Sequence, residues 1–82
     1  MAKNTKQPVR QKQKAFDIKW QNKYSFEEGF VCDIDTEGRH FINTFEKKEA
    51  KRFGTSLEAA KAVEALIAMG EGNNNTFSIE AI

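Results

Sequence analysis

The stretch Asp33-Ile34-Asp35-Thr36-Glu37-Gly38 places oxygen donors at its first, third and fifth positions and a glycine at the sixth, the opening of a calcium-binding loop. Such a loop closes on a bidentate glutamate at its twelfth position, and here that position is Thr44. Its flanks alternate apolar and polar residues as strands do, where a calcium loop sits between helices. An acidic hairpin turn explains the spacing better, and no metal site is expected.

Two further residue types invite chemistry. Cys32 and His40 fall close enough across the expected hairpin for an imidazole to activate a thiolate. Both, however, land on its core face, where cysteine behaves as a small hydrophobe and a strand-end histidine fills space or reaches water. Asp33 and Asp35 stand on an open strand and do not face each other across a cleft, as acid and base catalysis requires. With no glycine-rich phosphate loop and a single histidine, the chain implies no cofactor and is read as a non-enzyme.

The elements that must position these residues follow from periodicity. Phe16, Ile18 and Trp20 alternate with Asp17, Lys19 and Gln21, which predicts a first strand over 15–21. Gln21–Ser25 reads as a polar turn. Gly29–Asp35 and Arg39–Phe45 then form a hairpin around Thr36-Glu37-Gly38, with Gly38 in the left-handed position of a three-residue loop. That loop pairs Ile34 with His40, Cys32 with Ile42 and Phe30 with Thr44.

Thr55-Ser56-Leu57-Glu58 is a capping box, so a helix starts there. Ala59, Ala62, Val63, Leu66 and Ile67 make its buried stripe, and Gly70 caps its end. After the polar Glu71–Asn75, the alternation of Phe77, Ile79 and Ala81 predicts a last strand. The expected fold is α+β: a small single domain of order β-β-β-α-β, with one helix on one face of an antiparallel-rich sheet.

That geometry turns Val31, Phe41 and Phe45 toward the face without a helix, an apolar patch rimmed by Asp33, Asp35, Glu37 and Arg39. From Glu27 to Glu37 there are five acids and no base, an edge suited to a basic partner. The expected site is therefore a partner-binding surface of Val31, Asp33, Asp35, Glu37, Phe41 and Phe45. It would engage another protein or a second copy of the chain, as a homodimer.

Charge is divided along the chain. The first fourteen residues hold Lys3, Lys6, Arg10, Lys12 and Lys14 with no acid, while the rest carries eight bases against twelve acids. Residues 1–14 read as a disordered basic tail, with the sole proline, Pro8, within it, and residues 15–82 as the folded domain. With Lys51 and Arg52, the tail offers an alternative, sequence-independent contact to nucleic acid.

A chain of 82 residues buries only about 60% of its unfolded surface, so its core has to be small and well packed. One cysteine excludes an intrachain disulfide and a cysteine-rich zinc site. No apolar run approaches the ~18 residues that span a bilayer, and the basic start lacks an apolar segment behind it. The expectation is a cytoplasmic protein with no membrane contact.

The stretch Glu49-Ala50-Lys51-Arg52-Phe53-Gly54-Thr55-Ser56-Leu57-Glu58-Ala59-Ala60 resembles a segment of small phage and prophage proteins that begin with an aromatic-rich hairpin and finish with a short strand. The likeness extends loosely over residues 15–82 and does not include the basic tail. It implies Phe53 as a hydrophobic anchor before the capped helix and Ala50 facing the core. It also implies a setting in which small non-enzymatic proteins inhibit or modulate host or anti-phage machinery.

Overall fold

Alternating apolar residues give four strands in the computed structural model, which describes residues 15–82: β1 (Phe16–Asn22), β2 (Glu28–Asp35), β3 (His40–Thr44) and β4 (Asn75–Ala81). One helix, α1 (Ser56–Ala68), precedes β4. The sheet order is β3-β2-β1-β4, antiparallel throughout, and α1 packs over β1 and β4. The α+β order β-β-β-α-β is as the periodicity predicts. The basic stretch with Lys3, Lys6, Arg10, Lys12 and Lys14 lies outside the described residues. Among the described residues no helix is long and apolar enough to cross a membrane.

The helix is built at both ends as its residue types dictate. Thr55 Oγ1 accepts the Glu58 N–H at 3.1 Å, and the Glu58 carboxylate accepts the Gly54 N–H, one residue earlier than a capping box expects. Gly70, at φ +95°, ends the helix by donating to Ile67 O. Ala59 and Leu66 are buried, with Ala62, Val63 and Met69 packed against the core. Ile67, expected in that stripe, is instead 57% exposed. It rims a groove beside β4.

The core gathers Ile18, Trp20, Val31, Ala59 and Leu66. Trp20 is opposite Gly29, and its indole lies across that glycine while Nε1 donates to Phe30 O at 3.1 Å. Phe41 on one edge strand meets Phe77 on the other, ring centroids 5.6 Å apart. In a flat sheet those strands would stand about 14 Å apart, so the contact requires the sheet to curl.

The β2–β3 hairpin departs from the expected register and turns Val31 and Phe41 to the face opposite the expected one, while Ile34 packs on the core as expected. Phe30 pairs with Thr44 as expected, but Asp33 pairs with Ile42, Ile34 with Phe41 and Asp35 with His40. The loop holds four residues, and the register shift between Val31 and Asp33 makes Cys32 the extra residue of a bulge. Val31, which precedes the bulge, is fully buried in the core with Ile18, and Phe41, opposite Ile34, packs on the helix side. Neither joins an outward patch, because Trp20 over Gly29 sets which face of β2 turns inward. Arg39, at φ +59°, takes the left-handed position expected for Gly38. A Cβ at Gly38 would stand 2.6 Å from Asp35 Oδ2 and 2.7 Å from His40 Cε1, the ends of two half-exposed side chains that can move aside.

Below Lys19 the sheet forks. β1 pairs with β2 only from Lys19 to Gln21, and the stretch after β3 fills the gap. Lys51 N–H donates to Val31 O at 2.8 Å on one side, and Phe53 exchanges both backbone bonds with Phe16 at 2.9 Å on the other. Ala50 is buried at this junction.

A methyl group at Gly29 would meet Thr44 O at 2.6 Å and the Trp20 ring at 2.9 Å. Gly29→Ala is expected to destabilise the fold by about 1–3 kcal/mol in urea denaturation. An unchanged midpoint would show that the indole does not need this gap.

Candidate functional site

The acids of the β2–β3 hairpin are engaged locally. Asp33 accepts the Ile34 N–H at 2.8 Å, and Asp35 accepts the Gly38 N–H at 2.9 Å. Asp35 Oδ2 lies 3.8 Å from His40 Nε2, across from it in register. Asp33 and Asp35 are on the face away from α1, and Glu37 is exposed at the tip. Among the described residues no group of three or more His, Cys, Asp or Glu could hold a metal ion. Cys32 sits in the bulge, while His40 is exposed and opposite Asp35, so the two are not the core-face neighbours the simple register suggested.

The same face contains the fully buried carboxylate of Asp17. Lys47, in a 3₁₀ turn (Lys47–Glu49), places its ammonium 2.9 Å from Asp17 Oδ2, 3.8 Å from Glu80 and 4.8 Å above the Phe30 ring. One cation thus touches side chains from β1, β2 and β4. Asp17 Oδ1 has no hydrogen-bond partner among the described residues. A second pair, Lys19 with Glu28 at 2.9 Å, is exposed, and the Glu28 hydrogen bond and charge raise the Lys19 pKa above its ordinary value.

Large apolar groups are exposed at several places, among them Leu57 and Ile67 on α1 and Ile42 on β3, but the three exposed aromatic ones lie at one end of the sheet. The β1–β2 turn places Tyr24 at 73% and Phe26 at 70% exposure, and Phe45 follows β3 at the same end, 65% exposed. The turn is ordered by polar bonds: Asn22 Oδ1 accepts from the Tyr24 and Ser25 N–H groups, both at 2.9 Å, and Ser25 Oγ accepts from Glu27 N–H. Phe26 donates to Asn22 O at φ +65°, a left-handed conformation that costs a bulky L-residue about 1–2 kcal/mol. Phe45 is braced from below, its ring 5.8 Å from the Trp20 indole, which in turn contacts Phe41 at 6.4 Å.

Of the residues expected to bind a partner, Phe45 alone remains a large exposed hydrophobe, with Phe41 beneath it in the same aromatic row and Val31 in the core. The acids are on the other face or at the far hairpin tip. Tyr24 and Phe26 escape a sequence reading because they neither alternate like a strand nor repeat like a helix. The available signal is two aromatics within a turn otherwise made of Asn, Lys, Ser and Glu.

Beside this end a groove of about 420 Å³ opens between α1 and the start of β4, lined by Lys23, Val63, Ile67, Asn73, Asn75 and Phe77. At the opposite end, exposed Lys51 and Arg52 precede Phe53, whose pairing with Phe16 places them near Ala15, the first described residue.

Removing one partner of the Asp17–Lys47 pair leaves a buried charge uncompensated. Lys47→Met is expected to cost about 2–4 kcal/mol of stability, and adding Asp17→Val to recover at least half of it. Equal losses in the single and double variants would show that the pair does not act as a unit.

Comparison of the chain with protein-family models, with curated proteins and with solved structures finds no match.

Proposed function

We propose that the protein is a non-enzymatic binding module that engages another protein stoichiometrically through Tyr24, Phe26 and Phe45. The observation that supports this most is Phe26. It occupies a left-handed backbone position that glycine or asparagine would fill more cheaply, and it is 70% exposed among the described residues. Strain retained for an exposed aromatic group is characteristic of contact surfaces, where aromatic anchors supply much of the binding energy. Phe45, held by Trp20, adds a second ring without requiring the partner to order it. In the setting that the resemblance to small phage proteins implies, such a module inhibits or modulates host or anti-phage machinery in the cytoplasm.

A second reading draws on the opposite end. The Phe16–Phe53 pairing brings Lys51 and Arg52 near Ala15, and this reading assigns the phosphate contact to them together with the sequence's basic residues Lys3, Lys6, Arg10, Lys12 and Lys14.

These readings separate in a lysate pull-down with nuclease treatment as one arm. Phe26→Gly is expected to stabilise the isolated protein by about 0.5–1 kcal/mol while lowering partner recovery about tenfold or more. Loss of stability, or undiminished recovery, would remove the argument from strain. Recovery that vanishes with nuclease, falls steeply with salt and needs residues 1–14 would favour nucleic acid.

A further inference from the structure

β4 forms one edge of the sheet, and the ends of its ladder with β1 fix which of its backbone groups are free. Lys23 N–H donates to Asn74 O and Ile82 N–H donates to Ala15 O, each at 2.8 Å. Bonded pairs alternate along an antiparallel ladder, so in the unbroken register from Phe16↔Ala81 to Asn22↔Asn75 it is Thr76, Ser78 and Glu80 that bond inward. Asn75, Phe77, Ile79 and Ala81 direct their N–H and C=O groups outward, where no described backbone group meets them.

This edge lacks the usual protection. Its seven residues contain no proline, glycine, lysine or bulge, and Glu80 is their only charge. The other edge, β3, is shorter at five residues, starts beside Arg39 and His40, and pairs with a bulged strand.

We propose that β4 pairs antiparallel with β4 of a second copy about a two-fold axis at Ser78, joining two four-stranded sheets into one. Asn75 then pairs with the partner's Ala81, Thr76 with the partner's Glu80, Phe77 with the partner's Ile79, and Ser78 with the partner's Ser78. This register satisfies all four outward residues of each strand, whereas moving the axis by one residue leaves two of the seven without a partner. It sets no like charges opposite one another, because Glu80 faces threonine. Ile79, 38% exposed in the single chain, comes beside the partner's Phe77, whose ring lines the groove against α1. The axis stands perpendicular to the sheet, so both helices lie on one face and the contact is isologous. Phe45 lies beyond the opposite edge strand and stays uncovered.

Light scattering after size exclusion, on protein loaded from about 10 µM to about 1 mM, tests this. The expected mass rises toward twice 9.3 kDa. Ser78→Glu lies opposite Lys19 within one chain and opposite its own copy in the dimer, so it is expected to keep the native circular dichroism and weaken association about tenfold. In a Cys32→Ser background, Ser78→Cys is expected to form a disulfide-linked dimer with oxidised glutathione, and Thr76→Cys is not. A monomer at every concentration would overturn the proposal. So would a dimer that resists Ser78→Glu but is lost with Phe45→Ser or on deletion of residues 1–14.

Discussion

A buried carboxylate holds this fold together and also constrains it. Asp17 has no exposed surface, and its one close cation among the described residues is Lys47, from the turn after β3. Desolvating a carboxylate costs several kcal/mol unless a partner offsets it, so the chain after β3 must bring Lys47 across the back of β2 to reach β1. The Phe30 ring beneath the ammonium and Glu80 beside it make that crossing favourable. Once the crossing is made, the next residues fall into the fork between β1 and β2, and Phe53 is placed against Phe16. The capped start of α1 follows two residues later. The ion pair thus fixes where the helix begins and which strands it can cover.

Because α1 covers β1 and β4, the helix-side face over β2 and β3 has to be closed by its own side chains. Trp20 does this by lying across Gly29 toward Phe41 and Phe45. Phe41 and Phe77 complete the row from edge to edge, and the curl that lets them meet leaves Phe45 at its open end. A rigid aromatic row ending in an exposed ring, next to a turn that strains Phe26 outward, is where the proposed contact would form. Rigid aromatics lose little side-chain freedom on contact, so more of their burial counts toward affinity.

Element types and order were legible because each rests on a local signal. The alternation of Phe16, Ile18 and Trp20 marks a strand, and Thr55 with Glu58 and Gly70 marks both helix ends. The faces of the hairpin were not legible. Counting twos from Phe30 assumes an even ladder, and the bulge at Cys32 breaks that count, as does the four-residue loop whose left-handed residue is Arg39 in place of Gly38. Trp20 over Gly29 turns Val31 inward ahead of the bulge, and the longer loop sets Phe41 opposite Ile34 on the helix side, which separates Asp33 and Asp35 from the aromatic row. Asp17 looked like an outward strand residue because nothing local announces that Lys47, thirty residues on, will cover it. Tyr24 and Phe26 were hidden for the opposite reason: their role depends on backbone strain and exposure, which no periodicity encodes.

The central claim, that the turn and Phe45 form the contact surface, is tested most directly by placing a photoreactive phenylalanine analogue at position 26, 45 or 42 and irradiating the producing cells. Ile42 serves as the control, since it is 48% exposed but on the face away from the helix. One discrete protein adduct, resistant to nuclease, is expected from positions 26 and 45, and none from 42. Equal labelling from all three positions, or an adduct that nuclease removes, would contradict it.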